Sequence, residues 1–283
     1  MPGCKSLGGS ISEVLSLKRD FDDALDSGEL DKGELLEQAF EGRIESILEL
    51  IGGEWRKNLK QGLKFDTADI TYLTPQVARE LANWPHVERS GIKLSGVKYI
   101  SAGAAEELAR SMSNITGFIV LPSLKGISLE ATKALVHNYV TSDFGLRGGL
   151  SMRGLETLTL DEAGELAKLR GGWLELGKLQ NLTPEIAQAL AGLERGILSI
   201  DSTHITPQTA RELIKFKGSV LGLNGLETID LAVAQELAPY PGKLMMRGLS
   251  QMSNEAASCL RDKYFDGKLL LSHGLSGKFS LGF

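Results

Sequence analysis

Apolar residues recur along this chain in a fixed order, and residues 221–243 (LGLNGLETIDLAVAQELAPYPGK) show it most plainly. Leu221 and Leu223 are two apart, the spacing at which alternate side chains of a strand share a face. Leu226, Ile229, Ala234, Leu237 and Ala238 follow at wider spacings, which predict a short helix or an irregular arc. Asp230 stands just before that arc, where a carboxylate can cap free backbone N–H groups. Pro239, Pro241 and Gly242 end it, because Pro cannot continue a helix and Gly accepts positive φ. One unit is therefore strand, turn, short helix or arc, turn.

The same order recurs with anchors at Leu73, Ile100, Ile127, Leu158, Leu182, Ile205, Ile229 and Met252, spaced by 27, 27, 31, 24, 23, 24 and 23 residues. Residues 269–271, all Leu, read as the strand of a truncated further unit. A fixed period in the twenties predicts a solenoid. One such unit buries too few side chains to offset the entropy of ordering its backbone. Stacked units share their apolar faces, so the array folds where the unit alone does not.

The segments LSMRGLETLTLDEAGELAKLRGG from Leu150, LELGKLQNLTPEIAQALAGLERG from Leu174 and the unit from Leu221 match best. Their shared phrase, LxLxxLxx(L/I)(T/S/D)xxxAxxLA, resembles a leucine-rich repeat, and the resemblance covers roughly residues 63–272. It differs from the family in its turn: Leu155, Leu179 and Leu226 stand near the place of the family's Asn ladder. The unit from Ile119 (IVLPSLKGIS) is closer to the short bacterial class. The resemblance implies a curved parallel sheet, a binding surface on its inner face and no catalysis from the repeats.

The predicted architecture is an α/β solenoid over residues 62–283, with an α-helical N-terminal cap over residues 1–61. In that cap, Ser10 to Glu13 reads as a capping box. Val14, Leu17, Phe21, Ala24 and Leu25 then share a helical face that Gly28 ends. A second amphipathic helix is predicted from about Lys32 to Ile51, stopped by Gly52 and Gly53. Covering the open end of the array is the simplest use of this pair, and an acidic docking module is the alternative. Between the helices, residues 23–34 partly match a calcium loop, with Asp23 first, Gly28 sixth and Glu34 twelfth. Leu25 stands where an oxygen ligand is needed and no second loop is found, so an acidic interhelical loop is the preferred reading.

Charge narrows the partners. The chain carries a formal −5, of which −7 falls in residues 1–51, leaving the rest near neutral. Neither part predicts a phosphate-backbone binder, so nucleic acid is not an expected partner. Two cysteines, Cys4 and Cys259, are too few for a disulfide framework or zinc site, and Cys259 is expected as a buried thiol. There is no 18-residue apolar run to span a membrane and no hydrophobic leader segment, which predicts a soluble cytoplasmic protein. Export without a recognisable leader, as an adhesin or effector, is the alternative.

No catalytic or cofactor motif emerges. His86, His137, His204 and His273 lie in different units without ligand spacing, and the glycine-rich stretch Gly145–Gly154 has no Lys for a phosphate loop. The sequons at Asn114 and Asn181 are read as chance. The expectation is a non-catalytic protein without a cofactor, with an enzymatic or calcium-dependent N-terminal module as the remaining alternative.

If the strand Leu pairs point inward, the residues between and after them line the inner sheet face. The between-positions are Asp66, Lys93, Val120, Ser151, Glu175, Ser199, Gly222, Met245 and Leu270. The after-positions are Ala68, Ser95, Pro122, Arg153, Gly177, Asp201, Asn224, Arg247 and Ser272. From these the candidate binding set is Arg153, Trp173, Glu175, Asp201, Asn224, Met245 and Arg247, mixing charge with the Trp and Arg that carry interface energy. Trp173 is included because it stands just before its strand. The expected partner is a protein.

Overall fold

The computed structural model describes residues 72–73, 75, 78–79, 91–112, 118–138, 148–170, 172–272, 275 and 279. All belong to one compact unit, Ile70–Phe283. The helical pair and acidic loop expected within residues 1–61 lie outside the described residues, as do Cys4, Asp66, Ala68, His86, Asn114 and His273.

The elements follow the pattern of the sequence. They run β1 (Tyr72–Leu73), β2 (Gly91–Lys93), β3 (Tyr99–Ile100), α1 (Ala102–Met112), β4 (Phe118–Val120), α2 (Leu129–Asn138), β5 (Gly149–Met152), α3 (Leu160–Leu166), β6 (Trp173–Leu176) and α4 (Pro184–Leu190). They continue β7 (Ile197–Ile200), α5 (Pro207–Leu213), β8 (Val220–Gly222), β9 (Thr228–Ile229), α6 (Leu231–Leu237), β10 (Lys243–Met246), β11 (Gln251–Met252), α7 (Asn254–Phe265) and β12 (Leu269–Leu271).

Eight strands form one parallel sheet in the order β2-β4-β5-β6-β7-β8-β10-β12, so each successive long strand pairs with the one before it. The class is α/β. The strand Leu pairs all turn to one side: Leu150, Met152, Leu174, Leu176, Leu198, Ile200, Leu221, Leu223, Leu244 and Met246 are buried. Helix residues bury the other side of the same core, with Ala163 and Leu166, Ala187 and Leu190, Ala210 and Leu213, and Ala234 and Leu237 at matching positions. Each helix packs against the next in sequence.

Four of these helices are only seven residues long, too short to persist alone in water. Packing holds them, and one column of caps starts them. Thr159, Thr183, Thr206, Asp230 and Ser253 each accept a hydrogen bond from the backbone N–H three residues on. Ser101 and Ser128 do the same for α1 and α2. At α3 the cap is reciprocal: the Thr159 N–H donates to the buried Glu162 carboxylate at 2.8 Å, which offsets part of the cost of covering it.

Two features are additional to the sequence reading. The anchors themselves pair at two places, Leu73 with Ile100 and Ile229 with Met252, as short second ladders beside the main sheet. Side chains also bridge the turns of neighbouring units. Leu155, Leu179 and Leu226 are buried as apolar fill, and carbonyls between units are met by the Asn181 amide at Leu158 and by hydroxyls further along. Ser202 donates to the Leu179 carbonyl at 3.0 Å, Ser250 to that of Glu227 at 3.1 Å, and Ser272 to that of Leu249 at 2.7 Å. At Leu179, where the bond is buried, a carbonyl without a partner would cost more than the bond contributes.

One expectation is corrected. Cys259 is partly exposed, not buried. In α7 the buried positions are Ala256, Leu260 and Lys263, and Cys259 falls on the edge of that stripe.

Candidate binding face

Register fixes which side chains share the outward side of the sheet. Lys93, Val120, Ser151, Glu175, Ser199, Gly222, Met245 and Leu270 stand in one cross-strand row. This includes the β7 unit, whose strand pairs Ser199 with Glu175. Two residues earlier runs a second row of Gly91, Phe118, Gly149, Trp173, Ile197, Val220 and Lys243. Trp173 therefore lies on the same side as Glu175, two residues along one strand. Arg153, Gly177, Asp201, Asn224 and Arg247 follow the strands in the third row.

Two glycines set the contacts on this face. Gly149 pairs with both Phe118 and Trp173, and their rings meet edge to face at 5.5 Å over it. Gly177 lies between Arg153 and Asp201, so the guanidinium reaches across to place its Nε 3.8 Å from the Asp201 carboxylate. The same Arg153 stands 3.0 Å from the Glu175 carboxylate, whose other oxygen accepts from the Ser151 hydroxyl at 2.6 Å. A Cβ on Gly177 would fall 2.1 Å from the Arg153 carbonyl oxygen, so no larger residue fits without moving backbone.

Five of the seven expected binding residues fall into two groups. Arg153, Glu175 and Asp201 form one linked cluster. Asn224 and Arg247 form a second, in which the Arg247 N–H donates to the Asn224 side-chain oxygen at 3.2 Å. The Asn224 amide donates to the Ser199 hydroxyl at 3.4 Å, at the long limit for such a bond. Trp173 is 37% exposed, and Met245 is half-buried in the central row.

Asp201 is the electrostatic anomaly of the face. One of its carboxylate oxygens is buried without a hydrogen-bond partner. Burial pushes its pKa up, the Arg153 charge pulls it back, Glu175 raises it further and Lys178 opposes that rise. The carboxylate is thus held short of full solvation, with only part of the compensation it needs.

Phe118, Ser151 and Ser199 also belong to the face but fall outside the expected set. The signal for Phe118 was available, since it stands two residues before Val120, as Trp173 does before Glu175. Ser151 and Ser199 are outward in register yet almost fully buried, because neighbouring longer side chains cover them. Asn181 has a structural role that leaves its sequon engaged: its side chain both donates to and accepts from the backbone of Leu158, at 2.9 and 3.3 Å.

Among the described residues, no group of three or more His, Cys, Asp or Glu side chains is placed to hold a metal ion, and no helix is long and apolar enough to cross a membrane. Compared with protein-family models and with curated proteins, the chain matches none.

Proposed function

We propose that the chain is a leucine-rich-repeat solenoid that binds a protein partner on its outward sheet face and performs no catalysis. The observation that carries this reading is the three-row strip, where register lines up Trp173, Glu175, Met245, Arg153, Asp201, Asn224 and Arg247 on one side of one sheet. Strictly sequential parallel strands, joined by short capped helices, support the solenoid. An exposed Trp near one end of the strip, with an Arg linked to two carboxylates at the other, supports a protein partner. Flat aromatic area gives binding energy at little entropic cost, while the charges select orientation.

The test compares partners captured by the wild-type chain with those captured by Trp173→Ala and Arg153→Glu. Trp173 is exposed enough for its variant to melt like the wild type; Arg153→Glu sets a third carboxylate beside Glu175 and Asp201, so its cooperative unfolding is checked alongside the neutral Arg153→Gln. A partner held by the wild type should be retained at least about tenfold less by each variant. Equal retention by both, with melting curves unchanged, rejects the face as the binding site.

A further inference from the structure

We propose that the C-terminal half of this face takes an acidic, extended polypeptide segment, gripped by Lys243, Arg247 and Lys268 around Met245; this rests on the protein-binding reading above. The first observation is the uneven charge of the strip. Its described rows carry five cations, Lys93, Arg153, Lys243, Arg247 and Lys268, and two carboxylates, Glu175 and Asp201. Both carboxylates are engaged by Arg153. The half built from β8, β10 and β12 is left with cations alone, on a chain whose total charge is −5.

Those cations are exposed, and among the described residues none of the three forms an ion pair. Lys268 precedes Leu269, the partner of Leu244, and so stands beside Lys243 on the neighbouring strand. Strands lie about 4.8 Å apart, so two like-charged side chains leave the sheet from directly opposite positions, a pairing that is unfavourable without a counter-charge. Burial lowers the pKa of Lys263, and the charge of nearby Lys268 lowers it further, with Asp266 acting in the opposite sense. A carboxylate arriving at this corner would relieve a repulsion already present.

Spacing selects the shape of the ligand. Along β10 and just beyond it the outward positions read Lys243, Met245, Arg247, cation, apolar, cation at a period of two. An extended chain has the same period, about 6.6 Å between side chains on one side. A segment with an apolar residue flanked two positions away by acids matches it: carboxylate to Lys243, apolar side chain to Met245, carboxylate to Arg247. A nucleic acid fits less well, because three cations next to a carboxylate pair make a weak phosphate track.

The test selects short random peptides displayed on phage against the full chain. The expected winners carry net negative charge with an apolar residue between two acids. Their binding should fall at least about tenfold in Lys243→Gln/Arg247→Gln and at high salt, and survive in Lys243→Arg/Arg247→Lys. Each single Gln variant is measured too, so that a folding defect in the double variant does not decide the result. Neutral or basic winners, or no enrichment at all, overturn the proposal. Winners that need Arg153 and Trp173 but ignore Lys243 and Arg247 also overturn it, and leave the protein-binding reading standing. Winners indifferent to both pairs overturn both. An oligothymidylate that outcompetes the peptides, with the same dependence on Lys243 and Arg247, replaces the acidic peptide with a phosphate ligand.

Discussion

The Arg153 guanidinium reaches the Asp201 carboxylate, 3.8 Å away and two strands distant, over the bare register position of Gly177. The contact therefore depends on a residue that takes no part in it. Gly177→Ala would drive a methyl group into the Arg153 carbonyl, at 2.1 Å before relaxation. It should cost about 1–3 kcal/mol, the usual range for forced overpacking. Arg153→Ala withdraws a half-exposed guanidinium from two largely covered carboxylates, Glu175 and Asp201, and should cost less, about 1 kcal/mol. Thermal unfolding of the two variants side by side checks the order; the reverse order would mean that the charges, not the space above Gly177, hold this part of the sheet.

Asp201 gives the face a dependence on pH. Its folded pKa lies above the unfolded value of about 3.9, so the folded chain binds the proton more tightly. By linkage, stability then rises as pH falls through the folded pKa towards that unfolded value, opposite to an ordinary salt-bridged carboxylate. Asp201→Asn keeps the shape and removes the charge. It should be more stable than the wild type at neutral pH, with the gap closing as the pH approaches 4. Urea unfolding across that range measures it, and a variant less stable at neutral pH would show that attraction to Arg153 outweighs burial.

Helix starts should be separable from the rest of the array. The Thr183 hydroxyl accepts from the Ile186 N–H at 3.3 Å, opening a helix of only seven residues. Thr183→Ala should cost about 1 kcal/mol, and Thr183→Ser should restore most of it. Loss with both substitutions would point to the Thr methyl group, not the hydroxyl, as the important part. The measurement is again the midpoint of unfolding.

These elements show why some levels of the structure were readable in the sequence. Strand positions and their facing follow from Leu pairs two apart, and that rule assigns Leu174 and Leu176 inward and Glu175 outward. Caps follow from a hydroxyl or Asp just before each helix, as at Thr183 and Asp230. Contacts that span two strands were not readable. Arg153 with Asp201, and Phe118 with Trp173, depend on which residue occupies the strand between, and a glycine there looks like any other turn glycine in sequence. The hydroxyl bonds from Ser202, Ser250 and Ser272 were hidden for a similar reason, because their acceptors lie one unit away. Cys259 was misjudged because α7 runs for 12 residues, so its buried stripe is not simply that of the seven-residue helices.

The alkaline limit of folding should be set in part by Tyr240. Its ring is buried, stacked with Phe216 at 6.4 Å, and its hydroxyl donates to the Gly218 carbonyl at 2.8 Å. Burial pushes its pKa up to about 12, against about 10 for an unfolded tyrosine. The folded chain thus keeps a proton that the unfolded chain releases. Stability should be unaffected by this group below about pH 10 and fall as the pH rises towards 12. Lys263, whose ammonium donates to the Tyr240 carbonyl, works in the other sense: burial lowers its pKa, so deprotonation favours the folded state up to the unfolded value of about 10.4. Tyr240→Phe removes the first effect and leaves the second. It should cost about 1 kcal/mol at neutral pH for the lost hydrogen bond, yet flatten the loss of stability between pH 10 and 12. If the variant and the wild type lose stability in parallel over that range, the Tyr240 proton is not what the alkaline transition reports.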